Sequence, residues 1–119
     1  MGFYSNPNPS IVVERAKFIF YFLGPKGKEK GCQVCAVSRP HVQRLASRLP
    51  GWDFEYVDLN VDQAERPVPF VPAFEVQLPG NKSYFIDAKS LAEKFELPPD
   101  EQGIETWMIS VLREYQRGR

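Results

Sequence analysis

Along this chain the spacing of apolar residues changes several times, and each spacing predicts an element. Lys17 to Leu23 (KFIFYFL) is almost continuously apolar and rich in aromatic residues. Such a run is expected of a central strand covered on both faces, and Gly24-Pro25 stop it. After a polar loop, Lys26 to Gly31, the period lengthens. From Cys32 onward Cys35, Val42, Leu45, Ala46 and Leu49 recur at helical spacing, with Arg39, Gln43, Arg44 and Arg48 on the other face. Pro50-Gly51 end this helix, and Pro40 falls inside it, where its missing N–H should kink the axis. Asp53 to Asn60 (DFEYVDLN) reads as a second strand, parallel to the first because a helix connects them. Asp62 to Pro69 is polar and proline-bearing, a connection or a short, poor helix. Phe70 to Leu78 and Lys82 to Ile86 then form an antiparallel hairpin, with Pro79-Gly80 at the central positions of a type II turn. Asp87 caps a short helix, Ala88 to Phe95. Pro98-Pro99-Asp100 open a last helix whose stripe (Ile104, Trp107, Met108, Val111, Leu112, Tyr115) should pack on the sheet.

The order β-α-β, then β-β-α, predicts an α/β domain with a four-stranded mixed sheet and helices on both faces. It spans residues 16–117 and follows an irregular lead-in over 1–15, in which Ile11 to Val13 could add a short edge strand. No internal repeat or low-complexity tract interrupts it.

Composition narrows the chemistry. Apolar residues make up 43% of 119 residues and aromatic ones 13%, enough for a core without a disulfide or metal scaffold. The two cysteines are therefore free for chemistry. Fifteen Lys+Arg balance fifteen Asp+Glu, so no overall field attracts nucleic acid or an anionic membrane surface. Lys26, Lys28 and Lys30 cluster before the cysteines but are diluted by Glu29, as in a solvated loop. The longest apolar run, Phe18 to Leu23, is far short of the roughly 20 residues that cross a bilayer. Met1 to Pro9 shows no basic segment followed by a long apolar one. A cytoplasmic location is the expectation, and there a Cys-x-x-Cys pair is redox-active or metal-binding more often than a permanent staple.

Cys32 and Cys35 fall at the mouth of the first helix, where unpaired N–H groups and the helix dipole favour an anion. A thiolate at Cys32 would be stabilised there. Cys35 sits on the same side of the first turn, placed to resolve a mixed disulfide formed at Cys32. The same spacing also supplies half of many zinc sites. The only further soft ligand is His41, about two turns along the helix, where its side chain should point away from the sulfurs as a surface histidine. Val71-Pro72 comes after the second strand and just before the third. A cis bond there would turn the Val71 backbone N–H and C=O toward the sulfurs, so that an extended substrate could pair with them.

With KFIFYFL before Cys32-Gln33-Val34-Cys35, Pro40 in the helix, Val57-Asp58-Leu59-Asn60-Val61-Asp62 closing the second strand and Val71-Pro72-Ala73-Phe74 opening the third, the chain resembles the thioredoxin/glutaredoxin superfamily over Lys17 to about Phe95, and the glutaredoxin-like branch in its compactness. The resemblance implies a thioredoxin-like fold and a thiol–disulfide oxidoreductase serving cell redox homeostasis. Cys32 would be the nucleophile, Cys35 the resolving thiol, and Val71, Pro72, Gln33 and Val34 the substrate-binding positions. Partners would be a protein or small-molecule disulfide and an upstream reductase or glutathione, with no nucleic acid, membrane or bound cofactor. Some features depart from the pattern. Gly31 stands where thioredoxins usually carry Trp, Gln33-Val34 replace Gly-Pro or Pro-Tyr, and no acid interrupts KFIFYFL. Phe85-Ile86 occupy the place of a glutaredoxin Gly-Gly, although Asp87 matches the acid that follows, so glutathione is expected as a co-substrate at most. Two other readings stay open: a non-catalytic interaction domain with an idle Cys-x-x-Cys, and a metal or cluster module in which two chains complete a four-thiolate site.

Overall fold

The computed structural model describes residues 15–118. The expected edge strand at Ile11 to Val13, and the lead-in apart from Arg15, lie outside the described residues. Seven elements follow in order: β1 (Lys17–Phe22), α1 (Gln33–Arg48), β2 (Asp53–Asp58), β3 (Ala73–Leu78), β4 (Lys82–Asp87), α2 (Ala88–Phe95) and α3 (Glu101–Arg117). The strands form one sheet in the order β2-β1-β3-β4. β1 and β2 are parallel, while β1–β3 and β3–β4 are antiparallel. The chain is thus an α/β protein with a mixed four-stranded sheet and three helices.

Because alternate strand residues point to opposite faces, the run in β1 divides cleanly. Phe18, Phe20 and Phe22 enter the main core, with Phe74 and Val76 of β3, Val42 and Leu45 of α1, Leu91 of α2, and Ile104, Trp107, Met108, Val111 and Leu112 of α3. Stacked or tilted rings join Phe18, Phe20 and Phe74 at centroid separations of 5.9–6.1 Å. Burying a side chain of this size contributes about 1.5–3 kcal/mol. Ile19 and Tyr21 face the other way and pack with Ala73.

The two faces are covered differently from the expectation. All three helices contribute to the core on one face. Among the described residues no helix packs on the opposite face; Leu59, Ala64 and Val68, from the segment between β2 and β3, pack on Ile19, Tyr21 and Ala73 there. The reason is visible in that segment. Pro67, Pro69 and Pro72 each lack a donor, so no regular helix can form, and three small apolar side chains cover what a helix would otherwise bury. The strands are also shorter than read from the sequence: β2 stops at Asp58 rather than Asn60, and β3 begins at Ala73 rather than Phe70.

Local signals set the remaining boundaries. Asp87 and Asp100 cap α2 and α3, accepting the N–H of Ser90 at 2.8 Å and of Gly103 at 3.0 Å. Pro40 lies within α1, yet the helix runs unbroken from Gln33 to Arg48. The carbonyl that Pro40 leaves without a helical partner belongs to Ala36, an exposed residue, so water can satisfy it. Arg44 and Arg48 on α1 pair with Glu101 and Glu105 on α3, and Ser38 donates to the Pro99 carbonyl at 2.9 Å. α1 is thereby held against the start of α3.

Candidate dithiol site

The site grows out of the end of β1. Beyond Phe22 the chain makes a short polar excursion, in which Lys26 and Glu29 exchange backbone bonds of 3.1 and 3.0 Å, and returns at Gly31. Lys26, Lys28 and Lys30 are exposed on it, as a solvated loop requires. Gly31 has φ +81° and lies flat on the strand end, where a Cβ would stand 2.7 Å from the Leu23 carbonyl oxygen and from the Gly24 carbonyl carbon. Only glycine meets both conditions. The next residue, Cys32, donates its N–H to the Leu23 carbonyl at 2.9 Å, so the first cysteine hangs directly on the strand.

The end of β2 braces that attachment. The Asp58 Oδ1 accepts the backbone N–H of Gly24 and of Asn60, each at 3.0 Å. The Asn60 amide donates to the Gly24 carbonyl, and the Leu59 N–H to the Phe22 carbonyl at 2.8 Å. Those N–H groups, Gly24 first and then Asn60, hold the Asp58 carboxyl below its usual range, with a smaller contribution from Arg39. Arg39 itself lies over the rings of Phe22 and Tyr56, at 4.9 and 5.7 Å.

Cys32 is the N-cap of α1 rather than its first helical residue. Its Sγ accepts the Cys35 N–H at 3.1 Å, and its carbonyl accepts the Ala36 N–H at 3.1 Å. The first turn carries no acidic residue. Cys32 is half-buried, whereas Cys35 is only 2% exposed. The two form a disulfide with a Cα–Cα distance of 5.2 Å. The Val71–Pro72 peptide is cis, as its place before β3 led one to expect, and the Val71 carbonyl oxygen lies 3.9 Å from the Cys32 Sγ. The Pro72 carbonyl accepts the Ala88 N–H at 2.8 Å, tying this approach to the start of α2. Among the described residues the Val71 N–H and C=O have no backbone partner.

The structure therefore brings together Cys32, Cys35, Val71 and Pro72. Gln33 and Val34, between the two cysteines, are exposed on the first turn and also line a neighbouring feature. This is a groove of about 400 Å³ shared with Val37, His41, Pro98 and Pro99, whose walls do not include Val71 or Pro72. His41 lies at the surface, partly buried along that groove, and its Nδ1 accepts from the Arg44 guanidinium at 2.6 Å. Among the described residues no group of three or more His, Cys, Asp or Glu side chains could hold a metal ion.

One cluster was missed from the sequence. Glu75, in the middle of β3, is 2% exposed. It accepts from the Tyr21 hydroxyl at 2.6 Å, from Gln77 at 3.3 Å, from the Ser83 hydroxyl, and from Arg66 at 3.1 Å. Burial pushes its pKa up, but the donors, Ser83 and Tyr21 foremost, outweigh it and hold the carboxyl below its usual range. Burial, and then the bond to Glu75, push the Tyr21 hydroxyl well above its ordinary value. An acid within the otherwise mostly apolar AFEVQL was the available signal.

A parallel β-α-β unit followed by an antiparallel hairpin, with Cys-x-x-Cys at the mouth of α1 and a cis-proline entering β3, defines a thioredoxin-like fold carrying a dithiol/disulfide pair. No protein-family model and no curated protein matches the chain. Among solved structures it is similar to mitochondrial thioredoxin 3 from Saccharomyces cerevisiae in its oxidised form. That likeness has a TM-score of 0.54 and 17% identity, and covers 82% of this chain and 80% of the other. At this identity what the two share is the fold. No helix among the described residues is long and apolar enough to cross a membrane.

Proposed function

We propose that the protein is a thiol–disulfide oxidoreductase working through Cys32 and Cys35. The observation that carries this reading is the asymmetry of the pair. One sulfur is partly exposed, held by the Cys35 N–H at 3.1 Å and 3.9 Å from the Val71 carbonyl; the other is buried one turn behind it. In the reduced protein the Cys32 thiolate attacks one sulfur of a substrate disulfide. That S–S bond breaks, a Cys32–substrate disulfide forms, and the departing sulfur takes up a proton. Cys35 then gives up its proton and attacks the Cys32 sulfur, closing the internal disulfide and releasing the second substrate thiol. Two electrons pass from the protein dithiol to the substrate, and an upstream reductase or glutathione restores the dithiol.

The backbone N–H and C=O of Val71, which have no backbone partner among the described residues, suit an extended peptide laid beside Cys32. A polypeptide substrate is also favoured by the exposed large apolar side chains among the described residues, Val34, Val37, Val61 and Phe70. All four belong to segments that enter or leave the sheet at the cysteine end or to the first turns of α1. A reducing, cytoplasmic compartment suits a dithiol of this kind.

The test is turnover of insulin disulfides and of a glutathione mixed disulfide, driven by dithiothreitol or glutathione. The wild-type protein should reduce at least one of them. Cys32→Ser should be inactive, and Cys35→Ser should accumulate a mixed disulfide visible by mass spectrometry. Failure of the wild type on both substrates would overturn the proposal.

A further inference from the structure

The sheet face opposite the helices is covered by the segment between β2 and β3, and one buried carboxylate holds that cover down. Arg66, in this segment, donates to Glu75 at 3.1 Å and to the Ser83 hydroxyl at 3.1 Å, and its guanidinium lies 5.7 Å from the centre of the Phe85 ring. Among the described residues, Arg66–Glu75 is the only ion pair between this segment and the sheet. From Arg66 the chain runs Pro67-Val68-Pro69-Phe70-Val71-Pro72, ending at the carbonyl 3.9 Å from the Cys32 Sγ. Prolines at 67, 69 and 72 fix φ at three of these positions, which makes the link semi-rigid. A displacement at one end is therefore carried to the other. Val68 adds a second point of support, packed with Ile19, Tyr21 and Ala73.

We propose that Arg66 and Glu75 are positioning residues for the dithiol site, clamping the proline-stiffened segment so that Val71 is presented to Cys32 and to the substrate beside it. The proposal rests on the oxidoreductase reading given above. Neither residue touches a sulfur; their effect passes through the chain between Arg66 and Val71. Glu75 keeps three further donors, Tyr21, Gln77 and Ser83, if the guanidinium is removed. The Arg66 side chain is 42% exposed but that of Glu75 only 2%, so removing the guanidinium leaves a buried carboxylate without its cation and should lower stability; the variants are therefore compared well below their unfolding temperatures. The damage read by the assays is to geometry: with Val71 displaced, an extended substrate loses its backbone partner beside Cys32 and binds more weakly.

The experiment compares the full-length wild type with Arg66→Ala and Arg66→Lys. The nuclear Overhauser contact between Val71 and Cys32 in the oxidised protein should weaken in Arg66→Ala. The KM for insulin disulfides should rise about fivefold, as expected for one lost backbone hydrogen bond to substrate, with kcat and the equilibrium constant of the Cys32–Cys35 pair against glutathione within about twofold of wild type. Arg66→Lys, whose ammonium can still reach Glu75, should recover part of both losses. An unchanged Val71–Cys32 contact in Arg66→Ala would overturn the clamp. So would a shift in the dithiol equilibrium of the same size as the KM change, which would mean general loosening. A wild-type protein that turns over no disulfide would refute the oxidoreductase reading instead, and the Val71–Cys32 contact would still decide the clamp.

Discussion

Replacing Gly31 by alanine tests whether the strand end that carries Cys32 is rigid. Two separate penalties meet at this position. At φ +81° an alanine incurs the left-handed backbone cost, about 1–2 kcal/mol. Its Cβ would also stand 2.7 Å from backbone atoms of Leu23 and Gly24, where ordinary contact begins near 3.4 Å. The strand end would have to move by roughly 0.7 Å, yet Leu23 is bonded to Cys32 and Gly24 to Asp58 and Asn60. Forcing atoms into a packed site typically costs about 1–3 kcal/mol, for a total near 2–5 kcal/mol. Gly27 supplies the control. It too has positive φ, +60°, but a Cβ there would meet nothing within 4 Å, so Gly27→Ala should show the backbone cost alone. At about 4 °C per kcal/mol for a domain of this size, Gly31→Ala should lower Tm by roughly 8–20 °C and Gly27→Ala by roughly 4–8 °C. Thermal unfolding of the reduced proteins by circular dichroism reads both, and the alkylation rate of Cys32 reports on the site itself. Equal Tm losses in the two variants would show that the strand end yields freely, and the account of how Cys32 is held would be wrong.

Two further outcomes concern stability. Asp87→Ala removes the cap of α2, whose carboxylate accepts the Ser90 N–H at 2.8 Å, and should cost about 1 kcal/mol in urea unfolding; an unchanged midpoint would mean the cap is dispensable. Glu75 has its carboxyl pKa held below the usual value in the fold, so its contribution is complete above the unfolded value, about 4.3. As pH falls through the folded value the unfolded chain takes up the proton first and that contribution is lost. Unfolding free energies between pH 3 and 6 should therefore fall more steeply toward acid for wild type than for Glu75→Gln, and parallel curves would contradict the assignment.

Much of this molecule can be read from local pattern. The doubly apolar run of β1, the helical spacing after Cys32, and the aspartates that open α2 and α3 each act within a few residues of themselves. So do the prolines that keep 59–72 out of a helix. The cysteine spacing places both sulfurs on one turn for the same reason, since helix geometry alone sets it. Glu75 shows where such reading stops. Its spacing puts it on the same face as Ala73 and Gln77, but nothing local says whether that face meets water or protein. Its burial depends on Tyr21 from the neighbouring strand, Ser83 from the hairpin partner and Arg66 from the covering segment. Periodicity along a chain determines which side chains share a face; what lies against that face, and hence whether a charge there is solvated or clamped, is decided only when distant segments pack together.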